Sequence, residues 1–262
     1  MRSSSRCEEA ELSLVQETRN GPAERRIEKI ELLEQVDYRL AETEVEKEEI
    51  YNLRYRAYLN EGAIEPRADQ RLKDRFDDLP NSWTFGIYLD GELTSSVRIS
   101  LATPDNRDTP AVDAFPDLLE PELAKGKTIV DPNRFVADPA RRTRYPQLPY
   151  ITLRLAYVAC EHFSADIGTA TVRKEHQAFY RRVFLHQPLC APRPYPSLTK
   201  PLCLMSVDYP KLRDKVFKRY PLFRSTEAER QMLFTRNGGH KMLPVVNLPD
   251  FPFLQPSISP AS

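Results

Sequence analysis

The residues best placed to do chemistry are Arg54, Asp74, Asp77, Arg98, Asp131 and Arg134, spread in that order along the chain. Arg54 follows Ile50 by four residues, beside a helical stripe of Ile50, Leu53, Ala57 and Tyr58. An arginine there needs a carboxylate from the protein or a ligand, because unpaired buried charge is costly; otherwise its stem packs and its head reaches water. Asp74 and Asp77 flank Phe76 in LKDRFDD, a stretch too polar for core, and such a loop pair can hold an arginine or an ammonium ion. It also fits an ordinary surface loop.

In SSVRIS, Val97 and Ile99 should face one side of a strand, and Ser96, Arg98 and Ser100 the other. The small serines leave Arg98 room to reach across a sheet, unless it simply faces solvent. Asp131 and Arg134 stand three apart in VDPNRFVAD, which sends them to opposite faces of a regular strand. Pro132 marks the strand as irregular, so their facing stays open. No single member demands a function, but the order of the whole set is a rarer coincidence.

The elements that must position these residues alternate. VDYRLAE (36–42) reads as a strand and EVEKEEIYNLRYRAYLNEG (44–62) as a helix with an acidic start and a stop at Gly62. TFGIYLDGELTSSVRISL (84–101) reads as a hairpin across Asp90-Gly91. A short helix over 112–124, a strand over 128–138, a helix over 150–165, a strand over 168–173, a helix over 174–185, a strand over 202–208 and helices over 210–219 and 225–234 follow. The pattern predicts one α/β domain over 29–234, a mixed sheet with helices packed on it. Residues 1–28 read as an N-terminal arm, disordered or wrapping, and 235–262 as a Pro/Ser-rich tail.

Composition narrows the function classes. With 38 basic and 38 acidic side chains, nothing global recommends nucleic acid as a partner. Between Ala140 and Lys200, however, Lys and Arg exceed Asp and Glu by seven, which suits an acidic partner or a phosphate-bearing ligand, or a solvated basic face. Cys7, Cys160, Cys190 and Cys203 lack metal-ligand spacing, so reduced thiols and no metal are expected. No run is apolar enough for a membrane span and the start lacks a signal-peptide core, which predicts a cytoplasmic protein.

LRYRAY, DRFD, DGELTSSVRI and VDPNRFVAD together resemble the LuxI-type acyl-homoserine-lactone synthases and, more closely in wording, FeeM-type N-acyl amino acid synthases. The likeness spans 36–138, weaker to about 207. It implies a GNAT-like fold, with a mainly antiparallel mixed sheet, and an N-acyltransferase that moves a long acyl chain from acyl carrier protein, or acyl-CoA, to a small amine, an amino acid first. Alternatives are lactone synthesis from S-adenosylmethionine and a non-catalytic acyl-ligand or carrier-protein module. Two departures, Asp131 where the lactone synthases carry Glu and Ile64 near their Trp, argue against S-adenosylmethionine.

By the same resemblance Asp131 takes the amine's proton, with Tyr180 of EHQAFYRRVF protonating the departing thiolate. Arg54, Tyr58, Asp74, Asp77, Arg98, Arg134 and Phe135 form the substrate-binding set, with Arg98 or Arg54 gripping the acceptor's carboxylate. Backbone N–H groups near 135–137 polarise the thioester carbonyl. Arg141, Arg142 and Arg144 meet the donor's pantetheine arm, and the acyl chain enters a tunnel between the sheet and the helix at 150–165. No Gly-rich phosphate loop is present, which favours carrier protein over coenzyme A, and no cofactor is implied.

Overall fold

Strand β1 (Asp37–Leu40) opens a sheet whose next members, β2 (Ser82–Leu89) and β3 (Glu92–Ala102), are the expected hairpin. Asp90 and Gly91 take φ of +53° and +78°, the left-handed angles that a two-residue type I′ turn needs at both central positions. The computed structural model describes residues 33–141, 144–195 and 198–236. The arm at 1–28 and all but the first two residues of the tail lie outside them. Strands β4 (Ile129–Ala137), β5 (Ile167–Val172), β6 (Gln187–Pro188) and β7 (Cys203–Asp208) complete the sheet in the order β1-β2-β3-β4-β5-β7-β6. Every neighbouring pair is antiparallel except β4 with β5.

Helix α1 (Glu44–Asn60) begins in a reciprocal cap between Thr43 and Glu46, which satisfies two N–H groups that the first turn leaves open, and ends before Gly62 at φ +60°. The single helix expected over 112–124 is two: α2 (Pro110–Ala114) and α3 (Pro116–Ala124). Pro116 has no N–H to continue a helix but fits the first turn of a new one. Next come α4 (Leu148–His162), α5 (Gln177–Phe184), α6 (Tyr209–Arg219) and α7 (Glu227–Phe234). A tight 3-10 turn at Lys174–His176 delays α5 by three residues relative to the expected start. Strand β6, absent from the sequence reading, adds an edge beside β7.

The two faces of the sheet differ in chemistry. Trp83, Phe85 and Ile87 of β2, Val97 and Ile99 of β3 and Val130 of β4 pack with α4 and α7 in the main core. The opposite face, under α1, is polar yet buried. Its side chains lie in register across three strands: Ser82, Ser100 and Asp131 in one row, Thr84, Arg98 and Asn133 in the next. Arg98 and Ser100 are fully buried and Asp131 is 1% exposed. Among the described residues no helix is long and apolar enough to cross a membrane.

Candidate active site

A one-residue mismatch between β3 and β4 builds the site. Ser96 pairs with Val136 and Arg98 with Asn133, so Val97 faces both Arg134 and Phe135. Arg134 absorbs this bulge at φ +51°, a conformation that non-glycine side chains adopt rarely. The bulge swings Arg134 onto the polar face, where it meets the same aspartate as Arg98. This resolves the facing of Asp131 and Arg134. Pro132 itself stays in register opposite Ile99.

Asp74 caps the 3-10 turn Arg75–Asp78: its Oδ1 accepts from the Phe76 N–H (3.0 Å), and Asp77 Oδ2 accepts from the Asp74 N–H (3.0 Å). The reciprocal cap fixes both carboxylates, and their other oxygen contacts go to arginines and, at Asp77 Oδ1, also to the Thr84 hydroxyl (3.4 Å). Arg98 donates through Nε to Asn133 Oδ1 (2.7 Å) and through Nη1 and Nη2 to Asp74 (2.6 and 3.2 Å); its Nη1 also lies 2.9 Å from Asp77 Oδ1. Arg54 Nη1 donates to Asp77 Oδ1 (2.7 Å), and its Nη2 to Thr84 Oγ1 (3.4 Å). Arg134 donates to Asp74 Oδ2 through Nε (2.9 Å) and Nη2 (2.6 Å).

Arg54 and Arg98 are fully buried, so neither snorkels nor faces solvent. Both hold protein carboxylates, and their guanidinium groups are closed off from a dissolved substrate. Arg134 differs. Its side chain is 8% exposed and lines a cleft, its Nη1 makes no hydrogen bond within the described protein, and its guanidinium carbon lies 5.5 Å from the Tyr58 ring centroid.

Ionisation follows from these contacts. Burial pushes Asp74 and Asp77 toward protonation, but Arg98, Arg134 and Arg54 overcome it and hold both below the usual carboxylate range. For Asp131 burial wins. Its carboxyl is pushed up to about 6 against the opposing pull of the Ala111 N–H, Arg98, Thr169 and Asn133. Ala111 N–H donates to Oδ2 (3.0 Å), Thr169 Oγ1 to Oδ1 (3.3 Å) and Asn133 Nδ2 to Oδ2 (3.3 Å). Burial works against the charge of Arg134, but Tyr58 and Asp74 more than offset it, so Arg134 stays protonated. Three arginines thus face two firmly ionised aspartates and a third carboxyl that titrates near neutrality.

The cleft, about 430 Å³, opens where β4 and β5 part. Their parallel pairing stops at Val130 and Gly168, two residues short of Pro132, which has no N–H to extend a ladder. Tyr58, Arg134, Phe135 and Tyr180 line it, as do Val136 and Ala137. Asp131 does not; it sits behind Asn133. Tyr180 is buried, and burial pushes its phenol above the usual range.

Other expected positions fall elsewhere. Arg141 pairs with Glu92, and Arg144 lies 3.8 Å from Asp90, at the β2–β3 turn and outside the cleft lining; Arg142 lies outside the described residues. Two members of the basic stretch are engaged within the protein: Arg154 is buried against Glu229, and Arg193 is paired with Asp117 (2.8 Å). Between the sheet and α4, beside Leu153, Tyr157 and Gly168, lies an apolar cavity of about 20 Å³, and the roomier cleft reaches the start of α4 at Pro149. Asn133, Thr84 and Thr169 were missed. Asn133 stands two residues from Asp131 and so shares its strand face, a signal present in the sequence; the roles of Thr84 and Thr169 depend on pairing between distant strands. Among the described residues no group of His, Cys, Asp and Glu is arranged to hold a metal.

A family model described as N-acyl amino acid synthase FeeM matches residues 49–208. The structure of FeeM, an N-acyl amino acid synthase from uncultured soil microbes, aligns at a TM-score of 0.59 and 14% identity over 70% of this chain and 96% of that one. The structure of BjaI with MTA, a CoA-dependent acyl-homoserine lactone synthase, aligns at 0.50 and 15% over 71% and 89%. The lactone synthase LasI aligns at 0.50 and 16% over 66% and 87%. No curated protein matches in sequence. The structural likenesses establish a shared fold, and the sequence match, which covers more than half of the chain, goes further: this GNAT-like acyltransferase belongs to the FeeM family of N-acyl amino acid synthases.

Proposed function

We propose that the enzyme transfers a long acyl chain from acyl carrier protein, or from acyl-CoA, to the amine of an amino acid, by direct attack on the thioester in a ternary complex. The observation that carries this reading is Arg134, a protonated guanidinium with an open Nη1 in the wall of a largely apolar cleft, with a carboxyl that titrates near 6, Asp131, behind the cleft residue Asn133. Arg134 grips the acceptor's carboxylate, a role better suited to it than to the sealed Arg54 and Arg98. Those two fix Asp77 and Asp74, and Asp74 in turn orients Arg134. Asp131 receives the proton that the amine loses on attack, and at neutral pH enough of it is ionised to do so. Tyr180, in the cleft wall, returns a proton to the departing thiolate. N–H groups of Phe135 to Ala137 polarise the thioester carbonyl. The chemistry invokes no cofactor, and the donor pool places the reaction in the cytoplasm.

Purified protein, given carrier protein loaded with long acyl chains and a panel of amino acids, is expected to release free thiol and an N-acyl amino acid. Release of neither with any amino acid across several chain lengths would sink the reading. Product with S-adenosylmethionine alone would move the enzyme to lactone synthesis, and acyl binding without turnover would make it a binding module.

A further inference from the structure

Strands β6 and β7 pair at Gln187 with Ser206 and Pro188 with Met205, and the Leu189 N–H continues the ladder by donating to the Leu204 carbonyl (2.9 Å). Pairing resumes between Arg193 and Leu202, whose N–H groups each donate to the other's carbonyl (2.7 and 2.9 Å). Between these anchors β7 contributes a single residue, Cys203, and the opposing chain three: Cys190, Ala191 and Pro192. Leu202 and Leu204 both spend backbone groups toward that chain. Cys203 between them therefore holds a non-hydrogen-bonded position, the kind at which side chains on facing strands come closest. The bulge opposite it is held on its far side, where Arg193 also donates to both carboxylate oxygens of Asp117 (2.8 and 3.0 Å).

The two thiols meet across this bulge. Cys203 Sγ donates to the Cys190 carbonyl (2.9 Å), and the Cys190 thiol is near enough to hydrogen-bond with it in turn. Facing residues at such a position have Cα atoms about 4.5 Å apart, inside the roughly 4.4–6.8 Å that a disulfide spans. Both cysteines are free thiols. Their exposure differs: Cys203 is fully buried, whereas Cys190 is partly open to solvent. Burial, and then the neighbouring Cys190, push the Cys203 thiol above its usual range, so Cys190 is the one an oxidant reaches first. The remaining free thiol of the described residues, Cys160, is buried in α4 at 3% exposure.

We propose that Cys190 and Cys203 are a site of reversible oxidation, joined by a peroxide into a disulfide that closes the neck of the segment 191–202. That segment gives Leu198, Lys200 and Leu202 to the cleft wall. It is strapped to the end of α1 by the Thr199 N–H on the Ala63 carbonyl (3.1 Å), the Thr199 hydroxyl on the Gly62 carbonyl (3.0 Å) and Lys200 Nζ on the Glu61 carbonyl (2.7 Å). The disulfide therefore fastens the other root of a cleft wall. In the first step the Cys190 sulfur takes one oxygen from hydrogen peroxide, the O–O bond breaks, and one water leaves a sulfenic acid behind. In the second the Cys203 sulfur displaces that hydroxyl, which departs with the Cys203 proton as a second water. The two sulfurs lose two electrons and the peroxide gains them. A dithiol reverses the change by thiol–disulfide exchange, becoming a disulfide itself. The inference is independent of which acyl donor or amine the cleft takes.

The test exposes the folded full chain to hydrogen peroxide, alkylates the remaining thiols and maps the peptides by mass. A Cys190–Cys203 link within one chain is expected, two hydrogens lighter than the reduced pair and lost on treatment with dithiothreitol, with Cys160 left as a thiol. Cys203→Ala should stop the reaction at a Cys190 sulfenic acid that dimedone traps, and Cys190→Ser, a change at a partly exposed position that keeps the fold, should form no link. Amide exchange over 191–202 should be slower in the oxidised wild type than in the reduced one. Both cysteines still open to alkylation after peroxide, or Cys190 carried on to sulfinic acid with no link, overturns the inference. So does a link that forms only in urea, only with Cys7 or only between chains. A link that leaves exchange over 191–202 unchanged overturns its bearing on the cleft wall. None of these readouts depends on turnover, so a failure of the acyl-transfer reading would leave them standing.

Discussion

The sheet buries arginines on both faces, and the two sets are finished differently. On the apolar face Arg154 of α4 gives Nε to the Leu222 carbonyl (2.6 Å), Nη2 to the Arg224 carbonyl (2.7 Å) and Glu229 Oε2 (2.9 Å), and Nη1 to Glu229 Oε1. Every nitrogen is spent inside the protein, and the result pins α7 and the chain before it onto α4. On the polar face Arg54 Nε is buried without a partner, Arg134 Nη1 opens to the cleft, and Asp131 is held near its titration point. Buried ion pairs in themselves do not separate scaffold from site. What separates them is completion: one network is closed on itself, as a bracket, and the other ends in an open donor and an acid titrating near 6, which under the proposed function is where the acceptor is met.

The sharpest way to break that contrast is Asp131→Asn. It should lower kcat by roughly 10²–10⁴. Because burial raises this carboxyl to about 6, ionising it weakens the fold as the pH climbs from the unfolded value of about 4 through 6. Removing the charge therefore leaves the unfolding midpoint at pH 7 unchanged or higher, and the wild type's kcat should fall as the pH drops through about 6. Asp74 and Asp77 have the opposite sign: their stabilisation is present above the ordinary carboxylate range and fades as acid protonates them. A parallel loss of midpoint and activity in Asp131→Asn would put Asp131 with the brackets.

Next in size is Arg154→Met. It strands Glu229 in the core and should cost about 3–5 kcal/mol in urea unfolding. Arg154→Met/Glu229→Met should regain much of this, with kcat per folded molecule retained throughout. A catalytic defect in the folded double variant would erase the distinction between the two faces. The smallest effect is expected of Arg134→Gln. Asp74 keeps Arg98, so the fold should hold, while the loss of one charged contact, about 1.5–3 kcal/mol, raises the acceptor's KM roughly 10- to 100-fold with a lesser change in kcat. Equal loss with acceptors lacking a carboxylate would show that Arg134 serves only as a strut.

Much of this was legible in the chain. Apolar periodicity located the sheet strands apart from two-residue β6, and it located the helices to within a few residues, because burial of one face imposes periods of two and 3.6. Asp90-Gly91 announced its turn because few other pairs tolerate two left-handed residues. The split at Pro116 was also written there, since proline cannot donate within a helix. For Arg141 and Arg144 the run itself does not show their neighbours: Glu92 and Asp90 at the hairpin tip, some fifty residues earlier in the chain, lie against them.

By itself the sequence determined which residues gather at the site, for helix, hairpin and strand each deliver their charged members in a fixed order. Only the tertiary structure decided what each one does. A single left-handed residue at Arg134 reverses the side-chain alternation of β4 and brings Arg134 to Asp74. Strand register sets Asp131 beside Thr169 and Asn133 in a dry layer, where burial moves its titration to about 6. Register and burial are sums over contacts between segments far apart in the chain. No local run of residues carries them.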